Sequence, residues 1–110
     1  MHEIGIVQNL IDAAVQAAGE REIKRIHVAL GELSDVSRES LEFYFEQLRS
    51  GTPAADASLV VRAEAARARC MECQAEAVVN PETWTCPTCG SPRLQVVAGD
   101  RLVLEELDVE

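Results

Sequence analysis

Aromatic residues are scarce in this chain, and it has no long apolar run. Aromatics make up 4% of the 110 residues, so a hydrophobic core has to be built from Val, Ile, Leu and Ala. No apolar stretch approaches the roughly 20 residues that a membrane-spanning helix needs. The first residues also lack the basic start that is typical of a secretory signal, and we therefore expect a cytoplasmic protein.

Positive charge is also in short supply, which argues against nucleic-acid binding. Lys and Arg together number 10 against 19 Asp and Glu, so the formal net charge is -9. A protein that binds nucleic acid needs a basic face to neutralise phosphates. The one local basic group, formed by Arg62, Arg67 and Arg69, lies beside a cysteine pair. An acidic surface is better suited to basic protein partners or to cations.

The chain does contain two Cys-x-x-Cys pairs, Cys70/Cys73 and Cys86/Cys89, with twelve residues between them. Two such pairs can surround one metal ion, because tetrahedral zinc takes four thiolate ligands at about 2.3 Å. Gly90 follows the second pair and permits the backbone conformations that a tight turn requires. The spacing therefore predicts a structural zinc site with these four cysteines as its ligands.

Other uses of the four cysteines remain open at this point. They could form two disulfides, a redox-active pair, or a cage for iron. Disulfides are disfavoured, because nothing ahead of the cysteines resembles a secretion signal.

The hydrophobic pattern predicts an α+β fold with two helices packed on a small mixed three-stranded sheet and an inserted four-cysteine, zinc-ribbon-like module. Helices are predicted at 4–18 and 38–49, the second with Ser37 as its N-cap, and strands at 23–30, 58–65 and 102–109. The first helix is expected to carry an apolar stripe on one face, with Leu10 at its edge and with Ile4, Val7, Ile11, Ala14 and Ala18 as its members.

The cysteine pairs are predicted to belong to an insertion between two strands of the main sheet. Short strands are expected around 77–79 and 93–97, whereas 65–69 is interpreted only as a lead-in to the module. The last strand is expected to return to the first sheet. These expectations divide the chain into an α/β domain, 1–66 completed by 100–110, and a zinc-binding module, 67–99.

The amino terminus offers a second place for metal chemistry. The α-amino group of Met1, the next amide nitrogen and the imidazole of His2 can close adjacent chelate rings on one ion. Nitrogen-rich square-planar sites favour Ni²⁺ or Cu²⁺. The residues alone nevertheless favour His2 as an ordinary solvated histidine, with Glu3 as a carboxylate suited to the positive end of a helix dipole.

Several further residues are expected to have structural roles. His27 alternates with buried strand positions and is predicted to be a partly exposed sheet residue, and Trp84 is predicted to pack over the zinc module. The acidic tail Glu105, Glu106, Asp108 and Glu110 is expected to form a solvated edge, with attraction of a basic partner as its alternative.

Several segments occur in one order along the chain and together resemble a known family. They are Met1-His2-Glu3, Val28-Ala29-Leu30-Gly31-Glu32-Leu33-Ser34, Glu39-Ser40-Leu41-Glu42-Phe43, the two cysteine pairs, and the ending Gly99-Asp100-Arg101-Leu102 to Glu110. In this order they resemble the HypA/HybF family, the nickel metallochaperones of nickel–iron hydrogenase maturation. The resemblance covers nearly the whole length.

The resemblance implies a nickel site at the amino terminus and a structural zinc site. It implies His2 as the essential Ni(II) ligand, the backbone amine of Met1 as a further donor, and Glu3 as a secondary one. It also implies that the four cysteines hold Zn(II). The family is not catalytic, and it passes nickel to the hydrogenase large-subunit precursor with a GTPase partner of the HypB type. Some members also serve urease, and both a monomer and a homodimer remain open.

Two other functions compete with this hypothesis. A zinc-ribbon protein-interaction module would act without nickel transfer, although the basic face expected of many zinc ribbons is missing. An iron electron carrier could use Cys-Pro-x-Cys-Gly knuckles of the rubredoxin type, although the cysteine pairs of such proteins are usually further apart.

Overall fold

The computed structural model describes residues 2–110, with His2 described by its backbone only. In this part of the chain there are two helices, α1 (His2–Ala18) and α2 (Arg38–Leu48), and six strands. The strands are β1 (Ile23–Gly31), β2 (Ser58–Glu64), β3 (Arg67–Cys70), β4 (Glu76–Val78), β5 (Leu94–Ala98) and β6 (Leu102–Val109). They form two three-stranded sheets with the orders β2-β1-β6 and β4-β3-β5. The predicted α+β class is confirmed, and so is the return of the last strand to the first sheet.

The described chain divides into two compact units. The helical unit comprises the described residues up to Ala29, together with Asp35–Arg62 and Leu102–Glu110. It contains both helices and most of the sheet β2-β1-β6. The cysteine unit comprises Leu30–Ser34 and Ala63–Arg101, and it contains the sheet β4-β3-β5. None of the helices in residues 2–110 combines the length and the apolarity that a membrane crossing requires.

Helix α1 supplies much of the core of the helical unit, where it packs against α2 and β6. Its buried residues are Val7, Leu10, Ile11, Ala14 and Ala18. Ile4 belongs to the same stripe but is 43% exposed. A periodic stripe gives the direction that a side chain faces, but it does not give the length of helix that a neighbouring element covers.

Helix α2 begins where the sequence predicts, because Ser37 caps it. The Ser37 backbone is extended, and its Oγ accepts a hydrogen bond of 3.1 Å from the backbone N–H of Ser40. Such a bond satisfies one of the N–H groups that have no partner inside a helix. Leu41 and Phe45 are the buried residues of this helix.

Replacing this cap is expected to destabilise the helical unit modestly. The Ser37→Ala variant should lower the free energy of unfolding by about 1 kcal/mol, because the first turn loses its side-chain acceptor. Urea unfolding followed by circular dichroism measures the change. Ser50→Ala is the matched control, since Ser50 is exposed in the turn after α2. Equal stability of the two variants would contradict a capping role for Ser37.

The cysteine unit is built around β3, which pairs antiparallel with both β4 and β5. The sequence predicts only a lead-in to the module at 65–69, and the strand at Arg67–Cys70 corrects that prediction. The segment alternates Ala with Arg and has no large apolar residue, so its own strand signal is weak. It becomes a strand because neighbours on both sides supply its hydrogen-bond partners, and context of this kind outweighs intrinsic strand propensity.

The core of the cysteine unit is small. Ala66, Ala68 and Val79 are its buried residues, and Leu33, Trp84 and Leu94 pack against them partly buried. The expectation that Trp84 packs on this module is confirmed. A core of this size contributes little hydrophobic stabilisation, so a unit of this kind depends on a further cross-link such as a metal ion.

Gly99 lies where two backbone segments of the cysteine unit approach closely. Its φ is +83°, and a Cβ at this position would lie 2.4 Å from the carbonyl oxygen of Ala65. The Gly99 carbonyl accepts a hydrogen bond of 2.8 Å from the backbone N–H of Leu33. Gly31 is similarly crowded, since its Cβ would lie 2.4 Å from the Gly99 oxygen. Only glycine fits at Gly99, because both the backbone conformation and the free space exclude a side chain.

Candidate metal centre

The four predicted cysteines converge in the cysteine unit. The Sγ atoms of Cys70 and Cys89 are 3.6 Å apart, and those of Cys73 and Cys86 are 3.7 Å apart. All four sulfur atoms lie within 4.8 Å of one another. Cys70 and Cys86 are buried, whereas Cys73 and Cys89 are exposed. The close pairs therefore join one buried and one exposed cysteine from different knuckles.

Each Cys-x-x-Cys segment forms the same tight turn. The Cys70 carbonyl accepts from the N–H of Gln74, and its N–H donates to Ala75. The Cys86 carbonyl accepts from the N–H of Gly90 in the same way. The residue after the second cysteine has a positive φ in both turns, 66° at Gln74 and 79° at Gly90. The sequence indicated the second turn through its glycine, but Gln74 gave no comparable signal.

Backbone N–H groups point at the first sulfur of each pair. The N–H groups of Cys89 and Thr88, the former the larger cause, lower the pKa of Cys86 to about 6. The N–H of Cys73 is the largest cause that lowers the pKa of Cys70. A hydrogen bond to the charged form stabilises a thiolate. The turn therefore favours one thiolate in each knuckle before any metal binds.

The second cysteine of each pair holds its proton more strongly. At Cys89 the backbone N–H of Ser91 lowers the pKa, but the hydrogen bond to Cys70 and partial desolvation of the sulfur outweigh it and raise the pKa to about 12. At Cys73 a hydrogen bond from the Ala75 backbone lowers the pKa, but partial desolvation of the sulfur together with the neighbouring thiols raises it on balance. A bound dication favours deprotonation of these two cysteines as well, because it offsets the repulsion among four thiolates.

The sulfur positions fit a tetrahedral metal ion. Four sulfur atoms at about 2.3 Å from a central ion are separated from one another by about 3.8 Å. The distances of 3.6 and 3.7 Å are close to this value. A tetrahedral set of four thiolates is typical of zinc or of iron–sulfur centres. The arrangement of the four sulfur atoms therefore suits a metal ion of this type.

The amino-terminal candidates lie at or beyond the edge of the described residues. Met1 and the side chain of His2 fall outside them, while the backbone of His2 begins α1. Glu3 is in the first helical turn and is partly buried. The first four N–H groups of a helix have no intrahelical partner. The amide groups of His2 and Glu3 are among these four groups.

One group of side chains in the helical unit was not anticipated from the sequence. His27 on β1, with Glu106 and Asp108 on β6, places three ligand-type atoms within 4.8 Å of one another. The predicted partial exposure of His27 is confirmed. The predicted return of the last strand to the first sheet was the one signal that could have indicated this contact.

Comparison with known proteins identifies a family. The family model described as "Hydrogenase/urease nickel incorporation, metallochaperone, hypA" matches residues 1–109. The protein named Hydrogenase maturation factor HypA in Azotobacter chroococcum mcd 1 is 38% identical over 113 aligned residues that cover 100% of both chains. The protein of the same name in Geobacter sulfurreducens is 37% identical over 110 residues, again covering 100% of both chains.

A solved structure shows the same fold. The solution structure of the Ni metallochaperone HypA from Helicobacter pylori matches with a TM-score of 0.78 at 24% sequence identity. The match covers 97% of this chain and 96% of that chain. With the family model matched from residue 1 to residue 109 and relatives matched over their full length, the chain belongs to the HypA family of nickel-incorporation metallochaperones.

Proposed function

We propose that this protein is a nickel carrier that binds Ni²⁺ at its amino terminus and delivers it during hydrogenase maturation. The observation that carries the proposal is the family match, which extends over residues 1–109 and so includes Met1-His2-Glu3. In this proposal His2 is the essential ligand, the Met1 amine is a further donor, and the Glu3 carboxylate contributes secondarily. The protein acts in the cytoplasm as a carrier and not as a catalyst.

The start of α1 supports a nickel site at this position. Because the amides of His2 and Glu3 are among the helical N–H groups without an intrahelical acceptor, a metal can use their nitrogens without breaking helical hydrogen bonds. An amine, amides and an imidazole together form a nitrogen-rich donor set, which suits Ni²⁺. A site at the end of a chain also remains open to ligand exchange, which a carrier needs in order to release its ion.

The four cysteines hold Zn²⁺ with a structural role in this proposal. A closed set of four thiolates leaves no open position for exchange, so it suits an ion that stays with the protein. The cysteine unit has only a small core, formed by Ala66, Ala68 and Val79, so this ion would supply much of its stability. We therefore assign nickel binding to 1–66 completed by 100–110, and zinc binding to 67–99.

Delivery requires partners that recognise a nickel-loaded carrier. The relatives are named as hydrogenase maturation factors, and we propose the precursor of a hydrogenase large subunit as the recipient, with a GTPase of the HypB type as the partner in insertion. The net charge of -9 favours contact with basic surfaces on these proteins and disfavours nucleic acid.

The proposal is tested by isothermal titration calorimetry. Ni²⁺ is titrated into zinc-loaded protein that has its native Met1 and no amino-terminal tag. We expect one tight nickel per chain, and we expect His2→Ala to abolish this tight binding while the zinc content stays at one. The chain has 2 histidines, so His27→Ala is the matched control and should retain the tight site.

Two results would contradict the proposal. Native protein that takes up no nickel while its zinc is intact would indicate a zinc-ribbon interaction module. Tight binding that persists in His2→Ala would place the nickel site at other residues. The zinc content of each variant, measured in parallel, distinguishes loss of nickel binding from loss of folding.

A further inference from the structure

His27 and Asp108 meet on adjacent strands of the helical unit although 81 residues separate them along the chain. His27 Nε2 is 2.9 Å from Asp108 Oδ2, and both side chains are 29% exposed. Glu106 lies two residues before Asp108 on β6 and is exposed. One ligand atom from each residue lies within 4.8 Å of the other two. One imidazole nitrogen and two carboxylate oxygens thus converge on a small volume that solvent reaches.

We propose that His27, Glu106 and Asp108 form a second metal site, for a divalent transition-metal ion of the Ni²⁺ class that accepts nitrogen and oxygen ligands. Imidazole and carboxylate are common ligands of such ions. Two ligand atoms bonded at 2.0–2.2 Å and at a right angle are about 3 Å apart. The 2.9 Å between Nε2 and Oδ2 matches this spacing. These two donor atoms therefore already have the spacing of adjacent ligands on one ion.

The ion would occupy the place of a proton. In the neutral imidazole one ring nitrogen carries a proton, and here Nε2–H can donate to Asp108 Oδ2. When Nε2 binds a metal, the remaining ring proton resides on Nδ1. The hydrogen bonds from His27, the larger cause, and Arg25 lower the pKa of Asp108, so this carboxylate is ionised near neutral pH. Asp108 is thus already in the ionised form that binds a metal ion.

Glu106 completes the donor set. Its carboxylate has no hydrogen-bond or ion-pair partner among the described residues, so no interaction has to be broken for it to turn toward an ion. Glu105, the next carboxylate on the strand, is instead held by Arg62 through contacts of 3.1 and 2.7 Å. The two neighbours are therefore not equivalent, and Glu106 is the one available for coordination.

Arg25 weakens metal binding at the proposed site. Its Nε donates to the same Asp108 oxygen at 2.6 Å, and its side chain is 54% exposed. A guanidinium at this distance competes directly with a cation for that oxygen. When Arg25 has moved away, the carboxylates of Glu106 and Asp108 together carry two negative charges, which match the charge of a divalent ion. The proposed site shares no residue with the proposed amino-terminal one.

The test uses zinc-loaded His2→Ala protein, in which His27 is the only histidine. Paramagnetic Ni²⁺ is titrated while the imidazole signals of His27 are followed by NMR. We expect these signals to broaden selectively and saturably. Asp108→Asn and Glu106→Gln should each weaken the apparent affinity several-fold or more. Asp35→Asn removes one exposed carboxylate elsewhere in the helical unit and should leave the affinity unchanged.

Arg25→Gln provides a readout of opposite sign. It should tighten nickel binding by about fivefold or more, because one unit charge about 4 Å away in water corresponds to roughly that factor. A surface imidazole that binds metal without the two carboxylates would lose no more affinity in Asp108→Asn or Glu106→Gln than in Asp35→Asn. Absence of broadening, equal broadening in Asp108→Asn and Asp35→Asn, or an unchanged affinity in Arg25→Gln would each overturn the proposal. Circular dichroism of each variant confirms that it is folded.

Discussion

Removing the metal from the four-cysteine site is expected to shift the fluorescence of Trp84 to longer wavelength while most helical circular dichroism remains. Trp84 is the single tryptophan of the chain, and it packs on the small core of the cysteine unit. Both helices belong to the helical unit, which has its own core. Structural zinc contributes about 10–16 kcal/mol of apparent binding free energy in zinc-finger peptides. The loss of this binding free energy is therefore larger than the stabilisation that the small core of the cysteine unit provides.

Chelation of zinc-loaded protein by EDTA, followed in parallel by fluorescence and circular dichroism, measures this effect. Cys86→Ser should lose the bound metal and show the same shift without chelator. Thr88→Ala is the matched control, because Thr88 contacts the Cys86 sulfur through its backbone N–H, and its side chain is exposed. Metal-free protein with the emission of the loaded form would show that the cysteine unit folds without metal.

The second large effect is expected at Gly99. Gly99→Ala should lower the free energy of unfolding by about 3 kcal/mol or more. A left-handed backbone costs an alanine about 1–2 kcal/mol, and overlap with backbone atoms adds the cost of moving them. The new Cβ would lie 2.4 Å from the Ala65 oxygen and 2.8 Å from the Ala66 Cα. Both neighbours are main-chain atoms of the cysteine unit, so rotation of a side chain cannot relieve the overlap.

Gly51→Ala separates the two contributions. Gly51 has a φ of +77°, but its Cβ would meet nothing within 4 Å. This variant should therefore cost only the conformational part, about 1–2 kcal/mol. Urea unfolding of the zinc-loaded proteins, with Trp84 emission for the cysteine unit and circular dichroism for the helical unit, gives the comparison. Equal losses in the two variants would show that the close approach at Gly99 relaxes freely.

Local patterns predicted most of the elements of the fold. Both helices and the three strands of the main sheet lie where periodicity placed them, because amphipathic periods and the Ser37 cap act within a few residues. Strand β3 escaped prediction because its alternating Ala and Arg residues carry no apolar signal. Its partners β4 and β5 lie on either side of it in the sheet, and only this pairing makes the segment a strand.

The cysteine site was also largely predictable. The spacing of the two pairs indicated four ligands for one ion, since each knuckle is a turn of a few residues with its own hydrogen bonds. The spacing did not indicate which sulfurs would be closest. The contacts of Cys70 with Cys89 and of Cys73 with Cys86 depend on the mutual orientation of the two knuckles.

By itself the sequence determined the short-range features of this protein: the helical stripes, the Ser37 cap, the cysteine knuckles, and the order of motifs that marks the HypA family. Only the tertiary structure decided that Gly99 must pass against Ala65 and that His27 meets Asp108. The physical reason is range. Turn and periodicity preferences act between residues a few positions apart, whereas these contacts arise when distant segments pair, and the closure of the long intervening loop carries no local signature.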